Sequence, residues 1–162
     1  MKKEKIKTNV MRVLDSRKLS YKSYEYEAGE PAPTGGEVAA MLGLDPARVF
    51  KTLVTVGASR EHYVFMIPVL RELDLKKAAR AVGEKNIEMI KSKELLPLTG
   101  YVHGGCSPIG MKKQFRTVAD ISAEGLETIY FSAGKIGFQV ELSPEDLKKV
   151  VDYSFADLCT EV

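Results

Sequence analysis

The run Gly104-Gly105-Cys106-Ser107-Pro108-Ile109-Gly110 packs three glycines and a proline around a thiol and a hydroxyl. Glycine permits backbone angles and close approaches that a Cβ forbids. Proline fixes its own φ and biases the residue before it towards an extended conformation. A loop of this kind can offer bare amide N–H groups to an anion or to a carbonyl oxygen that gains charge. The plainer reading is a tight connection with no ligand. A second candidate is Lys51, in Val49-Phe50-Lys51-Thr52-Leu53-Val54. Its apolar neighbours would partly desolvate it. Such a lysine neutralises a phosphate or an oxyanion, or serves as a base once burial lowers its pKa. The alternative is an exposed lysine at a strand end.

His103 and Cys106 suggest a Cys–His nucleophile, with the amide-rich loop lowering the thiol pKa. The case is weak. No third group is implied to orient the histidine, and a small buried cysteine in a glycine loop is common. Ser107 either donates to a substrate oxygen or stabilises the turn. Cys106, Cys159, His62 and His103 lack metal-ligand spacing, and no Walker A or dinucleotide fingerprint is present. The expectation is neither metal nor cofactor.

The elements that must position these residues read as hairpins and short helices. Ile6, Val10, Val13 and Leu14 recur at helical spacing behind a cap at Thr8 or Asn9. Residues 21–26 alternate as a strand. Thr34 followed by Glu37 forms a capping box for a helix that ends at Gly43, and Asp45-Pro46 starts a further turn. Residues 51–56 and 62–68 make a β-hairpin. Asp74 caps a helix whose buried stripe is Leu75, Ala78, Ala79 and Val82. Ser92 opens a brief helix closed by Pro97, and Tyr101-Val102-His103 alternates like a strand. Residues 117–120 read as a strand, with a helical turn from Ser122. A second hairpin spans 128–132 and 137–142, and Ser143-Pro144 starts a last helix. Hairpins outnumber strand–helix–strand crossovers, so the expected fold is α+β: a mixed, mostly antiparallel sheet surrounded by helices.

The chain has 162 residues, which fits a single domain over 1–162. Its hydrophobic content of 44% supports a core. The net charge is only +2, too small for a dedicated duplex-DNA binder, though contact with a few phosphates is open. Most lysine pairs, such as Lys2-Lys3, read as solvated surface. Lys112-Lys113 differs, because it follows the glycine loop directly and is placed to reach a phosphate backbone. Apolar runs fall well short of the ~20 residues that span a bilayer. The start, Met1 to Lys7, has no apolar segment after its charges, so no signal peptide and a cytoplasmic location are expected.

Three segments together resemble the YbaK/EbsC family: Gly43-Leu44 with 49–54, Leu73-Asp74-Leu75-Lys76-Lys77, and Tyr101 with 104–113. The resemblance runs from about Tyr24 to Asp157. It implies free-standing aminoacyl-tRNA deacylases related to the editing domain of bacterial prolyl-tRNA synthetase. The substrate so implied is mischarged tRNA, in the first instance Cys-tRNA(Pro), with Cys-tRNA(Cys) and Ala-tRNA(Pro) as alternatives. Prolyl-tRNA synthetase is the implied partner. On this resemblance Lys51 is the functional lysine beside Thr52, and Gly104 to Pro108 is the GxxxP loop. Gly105 and Ser107 line the site, and Cys106 occupies the loop's variable position. Tyr24, with Tyr26 as the alternative, and Thr34 face the substrate. Gln139 stands where the Cys-tRNA branch has an aspartate, so its amide keeps hydrogen bonding but cannot pair with a substrate ammonium. A non-catalytic aminoacyl or nucleotide binder is the competing reading.

Overall fold

The structure is a computed structural model that describes residues 6–161; the Lys2-Lys3 pair and the start of the chain through Lys5 lie outside the described residues. In chain order the elements are α1 (Asn9–Ser16), β1 (Lys22–Glu25), α2 (Gly35–Leu42), β2 (Phe50–Gly57), β3 (His62–Pro68), α3 (Leu75–Val82), β4 (Ile87–Met89) and α4 (Ser92–Thr99). They continue with β5 (Arg116–Asp120), β6 (Ile129–Ser132), β7 (Phe138–Leu142), α5 (Pro144–Leu147) and β8 (Tyr153–Ala156). Short 3-10 turns occupy Pro46–Arg48 and Ile121–Ala123. The fold is α+β.

Two sheets carry the architecture. One has the order β1-β7-β6 and is antiparallel throughout. The other has the order β4-β2-β3-β5-β8; its β2–β3 and β2–β4 pairs are antiparallel, while β3–β5 and β5–β8 are parallel. A parallel bridge from Val49 to Tyr130 joins the entrance of β2 to β6. The largest apolar cluster lies between the sheets and α1, centred on Leu14, Met66, Ile109, Phe131 and Val140. A second cluster packs Ala78, Ala79 and Val82 of α3 against Phe65 and Ile67 of β3.

Local chemistry sets the helix ends. Thr8 caps α1 by accepting from the Met11 N–H, and Thr34 and Glu37 form both halves of a capping box on α2. Asp74 accepts from the amides of Lys76 and Lys77 at the start of α3. Four expectations need correction. Tyr101-Val102-His103 is not a strand: Tyr101 is buried, its N–H bonds the Thr99 hydroxyl and its own hydroxyl bonds the Ile109 carbonyl, so it staples the loop instead of pairing in a sheet. Helix α4 runs past Pro97 to Thr99, because the Gly100 N–H still reaches the Leu96 carbonyl and closes the last turn. Leu75 opens α3 on its solvent side and is 42% exposed. Ile6 precedes α1 and is also exposed.

Candidate functional site

A cavity of about 580 Å³ opens where the two sheets diverge. Its size falls in the range of roughly 300–1,000 Å³ typical of small-molecule sites. Strand β4 pairs with β2 only at Thr55, Val56 and Gly57, so the first half of β2 has no strand on that edge apart from the bridge at Val49. The wall therefore includes Lys51, Thr52 and Leu53 of β2. The capped start of α2 adds Thr34, the start of α4 adds Lys91 and Ser92, and the glycine loop adds His103, Gly104 and Cys106. Ser132 of β6 and Gln139 of β7, cross-strand partners, close the far side.

Lys51 is half-buried, and its side chain makes no ion pair or hydrogen bond among the described residues. Its ammonium is thus free for a ligand anion. Thr52 Oγ1 and Gln139 Oε1 are both buried without a hydrogen-bonding partner among the described residues. Buried polar atoms without partners are uncommon in native proteins and mark places where a ligand or water completes the bonding.

The glycine loop is held by its own turn. Gly104 has φ +87°, a left-handed angle that favours glycine. A Cβ on Gly105 would stand 3.0 Å from the Ile136 nitrogen, so the loop packs directly on the turn between β6 and β7. The Gly105 N–H donates to the Val102 carbonyl at 3.0 Å, whereas Cys106 and Ser107 donate no backbone turn bond among the described residues. Ser107 is fully buried, its Oγ accepts from the Ile109 N–H, and it does not line the cavity; neither do Gly105 and Pro108. The Cys106 thiol lines the cavity, and burial pushes its pKa up to about 12. A thiol so perturbed is not a thiolate at neutral pH.

Of the two tyrosines, Tyr26 lines this cavity and Tyr24 does not. Tyr24 sits opposite Gln139 in the β1–β7 register, with its hydroxyl donating to Glu141 Oε1 at 2.7 Å and its ring edge-on to Tyr130. The bond to Glu141, with burial, raises the Tyr24 pKa to about 12. Glu141 also accepts from the Thr128 hydroxyl and lies 3.7 Å from Arg48. Burial alone would raise its pKa, but the Thr128 and Tyr24 hydrogen bonds outweigh it and hold it low. Lys91 and Ser92 also line the cavity, although sequence reasoning did not single them out. The sequence marks Ser92 only as a helix start; the structure places Lys91 at the N-cap of α4 with no side-chain cap bond.

Comparison with known proteins supplies independent findings. The model of the aminoacyl-tRNA editing domain matches residues 29–150. An Enterococcus faecalis protein, EbsC, named as a candidate Cys-tRNA(Pro)/Cys-tRNA(Cys) deacylase, is 46% identical over 99% of this chain and 98% of its own. A proline–tRNA ligase of Pelobacter propionicus is 31% identical over 61% of this chain, which spans only 17% of the ligase. A solved structure described as a candidate trans-editing enzyme for prolyl tRNA synthetase superposes with a TM-score of 0.81 at 25% identity, covering 97% of this chain and 100% of the other.

Proposed function

Since the chain belongs to the aminoacyl-tRNA editing domain family, we propose that it is a trans-editing deacylase that clears mischarged tRNA, with Cys-tRNA(Pro) as its first substrate and Cys-tRNA(Cys) as a second. The observation that carries this reading is the meeting of an unpaired Lys51 with the glycine loop across one cavity that contains no activated nucleophile. An aminoacyl ester is already reactive, so the protein need only position it and stabilise charge on its carbonyl oxygen. Lys51 holds the phosphate or ribose of the terminal adenosine and fixes the ester's orientation. The amide of Cys106, a residue that lines the cavity and makes no backbone turn bond among the described residues, is the donor left to hold the carbonyl.

With a cysteinyl ester the substrate's own thiol attacks its carbonyl. A C–S bond forms, the C–O bond to the ribose breaks, and the thiol proton leaves on the ribose hydroxyl. The products are a cyclic thiolactone and free tRNA. With an alanyl ester a bound water attacks instead. In this reading residues 1–162 work as one editing unit in the cytoplasm, with prolyl-tRNA synthetase as the partner that selects the tRNA. Among the described residues no helix is long and apolar enough to cross a membrane.

The competing reading, a binder that holds the aminoacyl end without cleaving it, draws on Gln139 in place of a charged group. Incubation with Cys-, Ala- and Pro-charged tRNA(Pro) separates the two. A deacylase releases the amino acid from Cys-tRNA(Pro) first, and a binder slows spontaneous loss of the ester.

A further inference from the structure

Among the described residues, those that line the cavity include no aspartate and no glutamate, while Lys51, Lys91 and His103 all line it. An aminoacyl ester carries an α-amine beside its carbonyl, so that amine must sit near whatever holds the ester. An ammonium there would meet two lysine charges with no carboxylate to offset them, in a setting less screened than bulk water. The polar group at the far wall is instead the carboxamide of Gln139, 7% exposed, with Oε1 buried and unpartnered. A buried acceptor of this kind is completed by an N–H, and it needs no positive charge on the donor.

We propose that Gln139 forms an amine subsite that takes the uncharged α-nitrogen of the substrate, as a neutral amine or as an N-acyl amide, and disfavours the ammonium. This inference rests on the deacylase reading for the identity of the ligand. The surroundings of Gln139 support it from every side. On β1 its neighbour Tyr24 is turned to Glu141, and on β6 the Ser132 hydroxyl accepts from the Gly134 N–H. Glu141 shares the face of β7 two residues along, but it does not line the cavity and is engaged by Thr128, Tyr24 and Arg48. On β2, Thr52 adds an unpartnered hydroxyl, and Cys106 across the cavity stays protonated. In the turn before β7, Lys135 lies over the Phe138 ring and brings a further positive charge, not a negative one.

The test uses two unreactive ligands: cysteine joined through an amide to 3′-amino-3′-deoxyadenosine, with its α-amine either free or acetylated. Dissociation constants for the intact protein are measured at about pH 5.5 and pH 8.5, on either side of the amine's pKa of roughly 7.7–8.0. The acetylated ligand reports any effect of His103 and serves as the reference. The expected result is that the free-amine ligand, relative to the acetylated one, weakens by more than about tenfold at the lower pH, since ammonium then replaces amine. In Gln139→Glu, which keeps the side-chain length and volume and is checked by thermal melting, the free-amine ligand gains at the lower pH relative to the acetylated one. Equal or tighter relative binding of the ammonium form by the wild-type protein overturns the proposal, as does failure of either ligand to bind at millimolar concentration. These are binding readouts. Loss of tRNA deacylation with the binding pattern intact would sink the deacylase reading and leave the subsite standing.

Discussion

Thr52 Oγ1 and Gln139 Oε1 reach one cavity from two different sheets, and each is buried with no hydrogen-bonding partner among the described residues. A protein selected for stability alone would replace such atoms with apolar groups of the same shape, because an unsatisfied polar group costs about 1–3 kcal/mol. Thr52→Val is close to isosteric and removes one of them. We expect the variant to be as stable as the wild type or up to about 1 kcal/mol more stable, with a raised KM for the aminoacyl substrate. Urea denaturation and steady-state kinetics on the same preparation check both halves, and a lowered stability with unchanged KM would assign Thr52 to packing.

The buried thiol of Cys106, with its pKa pushed up to about 12 by desolvation, is unsuited to covalent catalysis. Cys106→Ala should keep kcat within about threefold of the wild type, whereas removing a true nucleophile costs several orders of magnitude. The pH profiles of the two proteins should superpose between about pH 6 and pH 8.5, since no protein thiolate forms there. A profile that loses an ionising limb in the variant would restore the nucleophile.

Gly104 and Gly43 both have left-handed backbones, with φ of +87° and +67°. Alanine at either position costs about 1–2 kcal/mol of conformational energy. Neither position meets a severe clash, as the nearest atom to a Cβ on Gly104 is 3.6 Å away and Gly43 faces open space. The two variants should therefore lose similar stability by chemical denaturation. Only Gly104→Ala should lose substantial kcat/KM, because only that loop borders the cavity. Equal activity in the two would remove the loop from the mechanism.

Acid sensitivity should have a local origin at Asp120, which is 4% exposed and joins β5 to the C-terminal segment. Burial alone would raise its pKa, but hydrogen bonds from Ser122 and from the Leu158 amide outweigh it and hold the carboxyl below its ordinary value. A depressed folded-state pKa contributes stability above the unfolded value of about 3.9 and loses it as pH falls through the folded value. Asp120→Asn should thus be about 1.5–3 kcal/mol less stable at neutral pH. The gap to the wild type should narrow below about pH 4, as followed by urea midpoints. A gap that stays constant with pH would show that charge plays no part.

Much of the fold was legible because its elements carry local signals. Thr34 with Glu37, Asp74 before Leu75, and the two hairpins at 51–68 and 128–142 each declare themselves within a few residues. β4 and β8 were not legible: Ile87–Met89 and Tyr153–Ala156 are too short for a period to show, and they exist through pairing with β2 and β5. In the candidate site, Lys51, Thr52 and the glycine loop stood out by residue type. The geometry adds what spacing could not give. Ser107 Oγ is tied to Ile109, the Gly105 amide is used within the loop, and Tyr26, not Tyr24, borders the cavity. The two tyrosines stand two residues apart, a spacing that puts both on one face of a strand, so alternation alone could not choose between them. Tyr24 lies within β1 opposite Gln139, and Tyr26 lies just past the strand's end at the cavity.

The most direct measurement is release of cysteine from Cys-tRNA(Pro) by wild-type protein and by Lys51→Ala, under single-turnover conditions and with matched melting temperatures. The account requires catalysed loss of the ester by the wild type and a fall of at least about a hundredfold in the variant, the scale expected when a reacting group is held about 1 Å out of place. Full activity in Lys51→Ala, or protection of the ester by the wild-type protein, would contradict it.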